Sequence, residues 1–357
     1  MSENSENTFF RGRGAQINPD SLFSGLQSSN EFIEGIDEEL NIDSKTEFVF
    51  TYPKSIVNRV DSPDIGPGYS MNPYQGCEHG CVYCYARNTH EYWGYGAGLD
   101  FERKILIKQN IDELLEKEFQ KKSWQPLPIL LSGNTDCYQP AERKFGLTRS
   151  LLRVCLKYKH PVVIITKNAL VLRDLDVLKQ LAELSLVKVF VSVTGAQEEI
   201  RMFLEPRTST YKNRFRAMKI LNEHKIPCGL LMAPVIPGIN QQEIPSVLKL
   251  SAEAGAVFAE YAVVRLNGAV AGIFKDWLQK NHPDRFSKVW NQISDFHGGD
   301  VSDAQFGRRM VGEGKFSSII RDLFEVSRKK YLGELPFVHL RTDLFDQLAG
   351  NSQLRLF

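Results

Sequence analysis

The segment Pro161–Val193, PVVIITKNALVLRDLDVLKQLAELSLVKVFVSV, contains two short β-branched runs on either side of a stretch of helical length. The runs, at 161–166 and 187–193, are continuous and apolar, as is typical of parallel strands that are buried on both faces. The stretch 173–186 between them has the amphipathic pattern of a helix. A strand, a helix and a strand in this order predict a right-handed crossover between two parallel strands.

The same alternation continues on both sides of this segment. Further strand-like runs occur at 128–132, 226–233 and 256–264, and another strand is expected before the first cysteines, near 68–74. Stretches of helical length lie at 111–124, 147–158, 211–224 and 243–254. Such alternation indicates an α/β fold with a parallel sheet. About six βα units are fewer than the eight that close a full barrel, so the sequence predicts a partial (β/α)6 TIM-like barrel.

The chain divides into four predicted parts. Residues 1–45 lack sustained periodicity and are rich in Ser, Asn, Glu and Gly, which predicts a flexible N-terminal arm. The barrel is expected over 46–270, a C-terminal helical extension over 271–350 and a tail over 351–357. The extension contains helical patterns at 272–282, 286–296 and 316–331. The basic stretch Arg11–Gly14 in the arm can contact phosphates, but a solvated tail is the favoured explanation.

Composition narrows the class of protein. The chain has 357 residues, of which 42% are hydrophobic and 24% charged, values of an ordinary globular protein that exclude a disordered or collagenous one. The net charge of +1 gives no global electrostatic reason to expect nucleic acid. A polar N-terminus without a signal sequence, and the lack of a long apolar window, predict a cytoplasmic protein with no membrane association. The six cysteines do not suit a disulfide framework.

Three of the cysteines form a motif. In Asn72–Tyr85, NPYQGCEHGCVYCY, the residues Cys77, Cys81 and Cys84 follow the pattern C-x3-C-x2-C. Thiolates select zinc or iron–sulfur centres, and a [4Fe–4S] cluster held by three cysteines leaves one iron free for an exogenous chelator. The alternatives are a zinc site completed by His79 or a distant residue, and fortuitous clustering of free thiols. His79 lies inside the first cysteine spacing, where its ring cannot easily complete the same tetrahedron.

This loop, placed after the first strand of a partial barrel, resembles that of radical S-adenosylmethionine (SAM) enzymes. The wider segment 72–87, together with GLDF at 98–101 and TDCYQPAE at 135–142, is similar to the branch of spore photoproduct lyase and its uncharacterised DNA repair photolyase-like relatives. The resemblance runs from about Arg11 to the C-terminus for the uncharacterised relatives, and across the barrel alone for the lyase.

The resemblance implies a cofactor chemistry. Cys77, Cys81 and Cys84 would ligate a [4Fe–4S] cluster, whose fourth iron would be chelated by the amino and carboxylate groups of SAM. One electron, from a reductant such as flavodoxin or ferredoxin, would cleave SAM to methionine and a 5′-deoxyadenosyl radical that abstracts hydrogen.

The resemblance also implies residues that bind SAM. These are Tyr83 against the adenine, Gly133, Asn134, Thr135 and Asp136 near the methionine amine, Lys167 with Ser192 and Thr194 at the carboxylate, and Val235 and Ile236 in the adenine loop. The segment 132–136 departs from the Gly-Gly-Glu pattern common in the family. A solvent-facing lysine, an ordinary strand hydroxyl and a Pro/Gly turn are the alternatives for Lys167, Ser192 and the adenine loop.

Two residues are candidates for hydrogen transfer. Cys137 corresponds approximately to the cysteine that donates a hydrogen atom in the lyase, and Tyr85, with Tyr83, matches its tyrosine relay. The alternative for Cys137 is a small buried hydrophobe.

The sequence indicates the substrate less specifically than it indicates the cofactors. We expect a radical enzyme acting on nucleic acid with a damaged base, the alternatives being a peptide, RNA or small metabolite, or a non-catalytic metal-binding module. Two locally basic segments, 205–225 and 308–330, could neutralise DNA phosphates or be solvated helix faces. The terminal QLRLF, Gln353–Phe357, looks like the motif by which bacterial repair proteins bind the DNA sliding clamp, unless it packs on its own domain.

Overall fold

The computed structural model of the chain describes residues 10, 12–19, 21, 45–64, 66–335 and 338–350. Most of the predicted N-terminal arm, and the predicted clamp motif Gln353–Phe357, lie outside the described residues.

Two sheets are built from ten strands in the described part of the chain. The strands are β1 (Glu47–Thr51), β2 (Val57–Ser62), β3 (Gly66–Met71), β4 (Tyr74–Gln75), β5 (Lys104–Lys108), β6 (Ile129–Leu131), β7 (Val162–Thr166), β8 (Val187–Ser192), β9 (Cys228–Val235) and β10 (Ala259–Val263). The larger sheet has the order β10-β9-β8-β7-β6-β3-β2. In it β3 and β6 to β10 are parallel, and β2 pairs antiparallel at one edge. The curled sheet of six parallel strands confirms the predicted partial (β/α)6 barrel.

Helices connect and cover these strands. Within the residues that the structure describes they are α1 (Leu99–Arg103), α2 (Ile111–Phe119), α3 (Glu142–Phe145), α4 (Leu147–Lys157), α5 (Leu175–Glu183), α6 (Glu198–Leu204), α7 (Tyr211–Glu223), α8 (Ile244–Glu253), α9 (Ala269–Asn281), α10 (Phe286–Phe296), α11 (Arg308–Val311) and α12 (Gly314–Leu332). The five predicted crossover helices correspond to α2, α4, α5, α7 and α8.

Burial explains why the central strand and its helix form. In β7 the side chains of Val162 and Ile164 are fully buried. In α5 the side chains of Leu178 and Leu181, three residues apart on one helix face, are fully buried against the sheet. Each such aliphatic side chain contributes about 1.5–3 kcal/mol on leaving water. Parallel strands packed in this way bring the chain segments that follow them to one end of the barrel, where the candidate site lies.

The small sheet was not predicted. It has the order β1-β5-β4, with β1 parallel and β4 antiparallel to β5. In this sheet Tyr74 pairs with Ile107 and Gln75 with Leu106, immediately before Cys77. The sheet therefore fixes the backbone on the N-terminal side of the cysteine loop.

Part of the predicted flexible arm is packed against the cysteine loop. The backbone N–H groups of Gly14 and Ala15 donate to the Glu102 carboxylate at 3.1 and 2.8 Å, and Arg13 Nη1 donates to the Glu102 carbonyl at 2.7 Å. Arg13 and Ala15 are buried. For Arg13 and Gly14 the expectation of a solvated tail was therefore wrong, because Glu102 is a buried carboxylate that needs several donors.

The C-terminal helices pack on the barrel. α12 lies against α8, and Phe324 stacks near Tyr261 of β10 with 4.6 Å between ring centroids. α9 and α10 share a core with the cysteine loop, in which Trp277 and Leu278 pack with Cys81 and Tyr83. The predicted helices of the extension are confirmed, while the domain boundaries at 270 and 350 stay predictions.

Among the helices of the described residues, none has the length and apolar character needed to cross a membrane.

A substitution at Gly14 tests whether packing of the segment 12–19 on the cysteine loop stabilises the protein. A Cβ at this position would lie 1.7 Å from the Gly80 carbonyl oxygen, so Gly14→Ala forces the segment 12–19 away from the loop. We expect a loss of about 1–3 kcal/mol in the free energy of unfolding, measured in urea.

Gly272→Ala is the matched control. A Cβ at Gly272, inside α9, meets nothing within 4 Å, so the same substitution should stabilise the protein by about 0.5–1 kcal/mol. Equal free energies of unfolding for Gly14→Ala and wild type would show that the close contact with Gly80 does not contribute to stability.

Candidate active site

The cysteine loop follows β4 and turns sharply at two glycines. Gly76 and Gly80 have φ of +80° and +70°, a region that residues with a Cβ rarely adopt. The Cys77 N–H donates to the Phe101 carbonyl at 2.8 Å, and the Val82 N–H donates to the Leu204 carbonyl at 3.1 Å. The loop is thus held by backbone hydrogen bonds to two separate segments.

The three thiols line one cavity of about 200 Å³. Burial raises the pKa of Cys77, Cys81 and Cys84, and for Cys77 the Asp136 carboxylate and the other two thiols raise it further. Thiolates gathered here need a strong positive charge to be stable, and iron in a cluster supplies one. The donor set therefore fits a [4Fe–4S] cluster.

His79 does not complete a zinc site with the cysteines. Its Nδ1 lies 3.4 Å from Asp136 Oδ2, and its Nε2 lies 3.3 Å from the Asn168 side-chain nitrogen. Both ring nitrogens therefore face partners other than the thiols. Among the described residues no group of three or more His, Cys, Asp or Glu side chains forms a site for a single metal ion.

Asp136 lines the cavity beside the three thiols. It follows β6 and accepts hydrogen bonds from the Thr166 hydroxyl and from the Lys167 N–H, both at 2.8 Å. Burial opposes ionisation of Asp136, but His79 and the backbone donors outweigh it and lower the pKa of the carboxyl. Asp136 is therefore a buried anion that joins the ends of β6 and β7 below the thiols.

Most of the predicted SAM-binding residues lie on this cavity. The members of the predicted set that line it are Tyr83, Asn134, Thr135, Asp136, Lys167 and Ser192, together with the predicted relay residue Tyr85. Those beyond the cysteine loop come from the carboxyl ends of β6, β7 and β8, where sites in such barrels are found. Gly133 takes part through its carbonyl, which accepts a 2.7 Å hydrogen bond from the Tyr85 hydroxyl.

Three predicted SAM contacts lie away from the cavity lining. Thr194 is fully buried, and its hydroxyl contacts Glu205 at 3.1 Å and Tyr211 at 2.7 Å. Val235 packs in the barrel core. The Ile236 N–H, expected to read adenine, donates to the Asn240 side chain at 2.6 Å. As SAM contacts these three stay predictions, and in the structure their polar groups or side chains are engaged within the protein.

Cys137 also lies away from the cavity. Its thiol belongs to the main hydrophobic core, with no exposed surface. Its N–H donates to the Ser132 hydroxyl at 2.8 Å, and its carbonyl accepts from the Thr148 hydroxyl at 2.6 Å. This placement is that of the small buried residue considered as the alternative.

Tyr83 is fixed by a buried network that the sequence did not indicate. Its hydroxyl donates to the Glu205 carboxylate, whose other oxygen lies 2.6 Å from Arg214 Nη2. Glu205 and Arg214 have no exposed side-chain surface. Burial disfavours the charge on Glu205, but Arg214 and Lys167 lower the pKa of this carboxyl. The network holds in one position the aromatic ring of Tyr83, which lies between Cys81 and Cys84 in the sequence.

Sequence reasoning missed several lining residues as site components, among them the polar or charged Thr166, Arg265 and Arg309 and the neighbouring Met310. His79 had been considered only as a zinc ligand. Arg265 could have been found, because it follows β10 and the carboxyl ends of barrel strands supply site residues. Arg309 and Met310 come from α11 in the C-terminal extension, and no local signal places that short helix over the barrel.

Known proteins share parts of this sequence and of this fold. The family model of the radical SAM superfamily matches residues 71–251, about half of the chain. An uncharacterised protein of Mycobacterium tuberculosis is 32% identical over 238 residues, covering 66% of this chain and 70% of the relative. An uncharacterised protein of Methanocaldococcus jannaschii is 28% identical over 253 residues, covering 71% and 90%.

Two solved structures share the fold at 15% sequence identity. Spore photoproduct lyase complexed with dinucleoside spore photoproduct matches with a TM-score of 0.58, covering 86% of this chain and 87% of that chain. A variant of the lyase with bound AdoMet and dinucleoside spore photoproduct matches with a TM-score of 0.60, covering 88% and 89%.

The buried ion pair Glu205–Arg214 beside Tyr83 should contribute to the free energy of unfolding. Glu205→Gln keeps the shape of the side chain but leaves the Arg214 guanidinium without a counter-ion in the core. We expect the free energy of unfolding in urea to fall by about 3 kcal/mol.

Glu223→Gln on the same stretch of chain is the control. Glu223 is exposed and lies 4.0 Å from Lys219, so its substitution should cost less than about 0.5 kcal/mol. Similar losses in the two variants would contradict the special role of the buried pair.

Proposed function

The chain belongs to the radical SAM superfamily, and we propose that it directs this chemistry at a damaged base in nucleic acid by hydrogen abstraction. A radical SAM enzyme carries a [4Fe–4S] cluster and uses one electron from a reductant to cleave bound SAM into methionine and a 5′-deoxyadenosyl radical. The observation that carries the proposal is the cavity itself. It joins the three cysteines to the carboxyl ends of the parallel strands in a fold shared with spore photoproduct lyase.

The cavity lining supports an assignment of residues to the two cofactors. Cys77, Cys81 and Cys84 would ligate the cluster. The Lys167 ammonium lines the cavity and would pair with the methionine carboxylate of SAM, with the Ser192 hydroxyl nearby. Tyr83, locked by Glu205, would present its ring to the adenosyl part. The ring of Tyr83 is positioned before SAM binds, which lowers the ordering cost of binding.

Tyr85 is the proposed relay residue. Its ring lines the cavity while 47% of its surface stays exposed, so it can contact both the cofactor side and a substrate that enters from outside. The hydrogen bond to the Gly133 carbonyl fixes the position of the hydroxyl. The donor role of Cys137 stays a prediction, and its burial would require the chain to open locally before the thiol could meet a product radical.

Several features support nucleic acid as the substrate. The lyase whose fold the chain shares was solved with a dinucleoside spore photoproduct. Tyr92 and Trp93 are exposed at the end of the 3-10 helix Tyr85–Trp93 that follows the cysteine loop, and exposed aromatic rings can stack on bases. The predicted basic segments contribute less than their composition indicates. In them Arg207, Arg214 and Arg308 are paired with Glu78, Glu205 and Asp303.

Two partners complete the proposal. A flavodoxin or ferredoxin would supply the electron. The tail Gln353–Phe357 would bind the DNA sliding clamp and so bring the enzyme to replicated or damaged DNA.

Substrate class is tested with the reconstituted enzyme. After anaerobic cluster reconstitution and reduction, we expect ultraviolet-irradiated DNA to increase 5′-deoxyadenosine formation and to be altered itself, whereas undamaged DNA does neither. Cys84→Ala, which removes one cluster ligand, should lose both the broad iron–sulfur absorbance and 5′-deoxyadenosine. Stimulation by RNA, peptides or metabolites but by none of a panel of DNA lesions would assign the enzyme to another substrate class.

Clamp binding is tested by deletion. Removing Gln353–Phe357 should abolish binding of the protein to purified sliding clamp in surface plasmon resonance, because the apolar side chains of the tail supply the contact. Cleavage of SAM should be retained. Unchanged affinity after the deletion would remove the clamp as a partner of this tail.

A further inference from the structure

The cationic side chains of the cavity differ in whether they have partners. Three Lys or Arg side chains line the cavity, Lys167, Arg265 and Arg309. Arg309 is paired, since its Nε lies 2.5 Å from Asp64 and its Nη2 donates to the Ser62 hydroxyl at 2.8 Å. Across the part of the chain that the structure describes, the side chains of Lys167 and Arg265 form no hydrogen bond and no ion pair within 4 Å. The cavity thus presents two cations that are available to ligands.

SAM accounts for one of these two cations. It carries a single carboxylate, and under the proposed function Lys167 takes it. Arg265 then remains without an anion. A guanidinium stays protonated in proteins, and a charge that is removed from water without a partner is costly. Burial lowers the pKa of Arg265 and the nearby Arg309 adds to this effect. The carboxylates of Asp64 and Asp303 oppose it from a distance, but they are paired directly with Arg309 and Arg308. A second anion, brought by the substrate, would relieve both costs.

The surroundings of Arg265 indicate which anion fits. Its guanidinium carbon lies 5.7 Å from the centroid of the Tyr85 ring, on the cavity side of the relay residue. Beside it the guanidinium of Arg309 lies 4.3 Å from the centroid of Phe306, whose ring is exposed. Cations that alternate with aromatic rings match the alternating phosphates and bases of single-stranded nucleic acid. A metabolite with a single carboxylate would bind the guanidinium but would leave the aromatic rings without a partner.

We propose that Arg265 binds a phosphodiester of the substrate next to the nucleotide that reacts at Tyr85, with Phe306 stacking on a neighbouring base. This inference rests on the proposed function, since it specifies which part of a nucleic acid enters the site. Arg265 is thereby a substrate-binding residue, whereas the charge of Arg309 is already balanced by Asp64.

The test measures binding directly. The purified protein with its cluster and SAM is titrated against a short fluorescein-labelled single-stranded oligodeoxynucleotide, and the anisotropy is followed at several salt concentrations. Arg265→Gln should weaken binding roughly tenfold, the loss of one charge-assisted contact, and should lower the slope of log affinity against log salt by about 0.7. Arg265→Lys should recover part of the affinity because it keeps the charge.

Two controls identify the contact. Arg285→Gln removes the same charge from an exposed position outside the cavity lining and should change affinity less than twofold. With an oligonucleotide whose linkages are neutral methylphosphonates, wild type and Arg265→Gln should bind equally. Iron–sulfur absorbance and thermal unfolding confirm that each variant is folded and loaded.

The outcomes separate this inference from the proposed function. Wild-type binding with an unchanged affinity and salt slope in Arg265→Gln would overturn the subsite and leave the nucleic-acid substrate standing. A loss of SAM affinity in Arg265→Gln, measured by equilibrium dialysis, together with unchanged oligonucleotide binding would assign Arg265 to the SAM carboxylate. Absence of any oligonucleotide binding by the wild type would overturn both the subsite and the proposed substrate.

Discussion

The cysteine loop lies between two buried ion pairs, and the site depends on both. On one side Arg87 Nη2 lies 2.5 Å from Glu102, and on the other Arg214 Nη2 lies 2.6 Å from Glu205. All four side chains have no exposed surface. Such pairs are stable only when the remaining donors are satisfied, and Arg87 meets this condition by donating to the carbonyls of Cys81, Ala97 and Gly98. The pairs hold three thiols in place before any cluster stabilises them.

Negatively and positively charged side chains occupy different parts of the cavity. The thiolates and Asp136 supply negative charge on the side where iron would sit. Lys167 and Arg265 supply positive charge where the carboxylate of SAM and the substrate would sit. Arg309 is paired with Asp64 and so does not compete for these ligands. In this arrangement each ligand meets the charge that it needs, and the low dielectric of the cavity makes each contact stronger than it would be in water.

Features with a local sequence signal were predictable. Buried parallel strands such as β7 and β8 are continuous apolar runs, and the C-x3-C-x2-C spacing is visible within eight residues. The small sheet was not, because β4 has two residues and β1 pairs with β5 across more than fifty intervening residues. Contacts made over long sequence separations, such as Glu102 with Gly14 and Arg265 with Tyr85, leave no local pattern. The adenine-loop assignment stays a prediction, and the hydrogen bond of the Ile236 N–H to the Asn240 side chain is a contact that the loop sequence does not show.

The segment that packs on the cysteine loop has a consequence for how the protein is studied in solution. The amide protons of Gly14 and Ala15 are hydrogen-bonded to the Glu102 carboxylate, which also binds Arg87 beneath the loop. In a chain synthesised from its N-terminus these two amides are made first, yet they gain protection only once a partner nearly ninety residues later has folded. Their exchange with deuterium therefore reports the order of the cluster-binding loop without any label or metal.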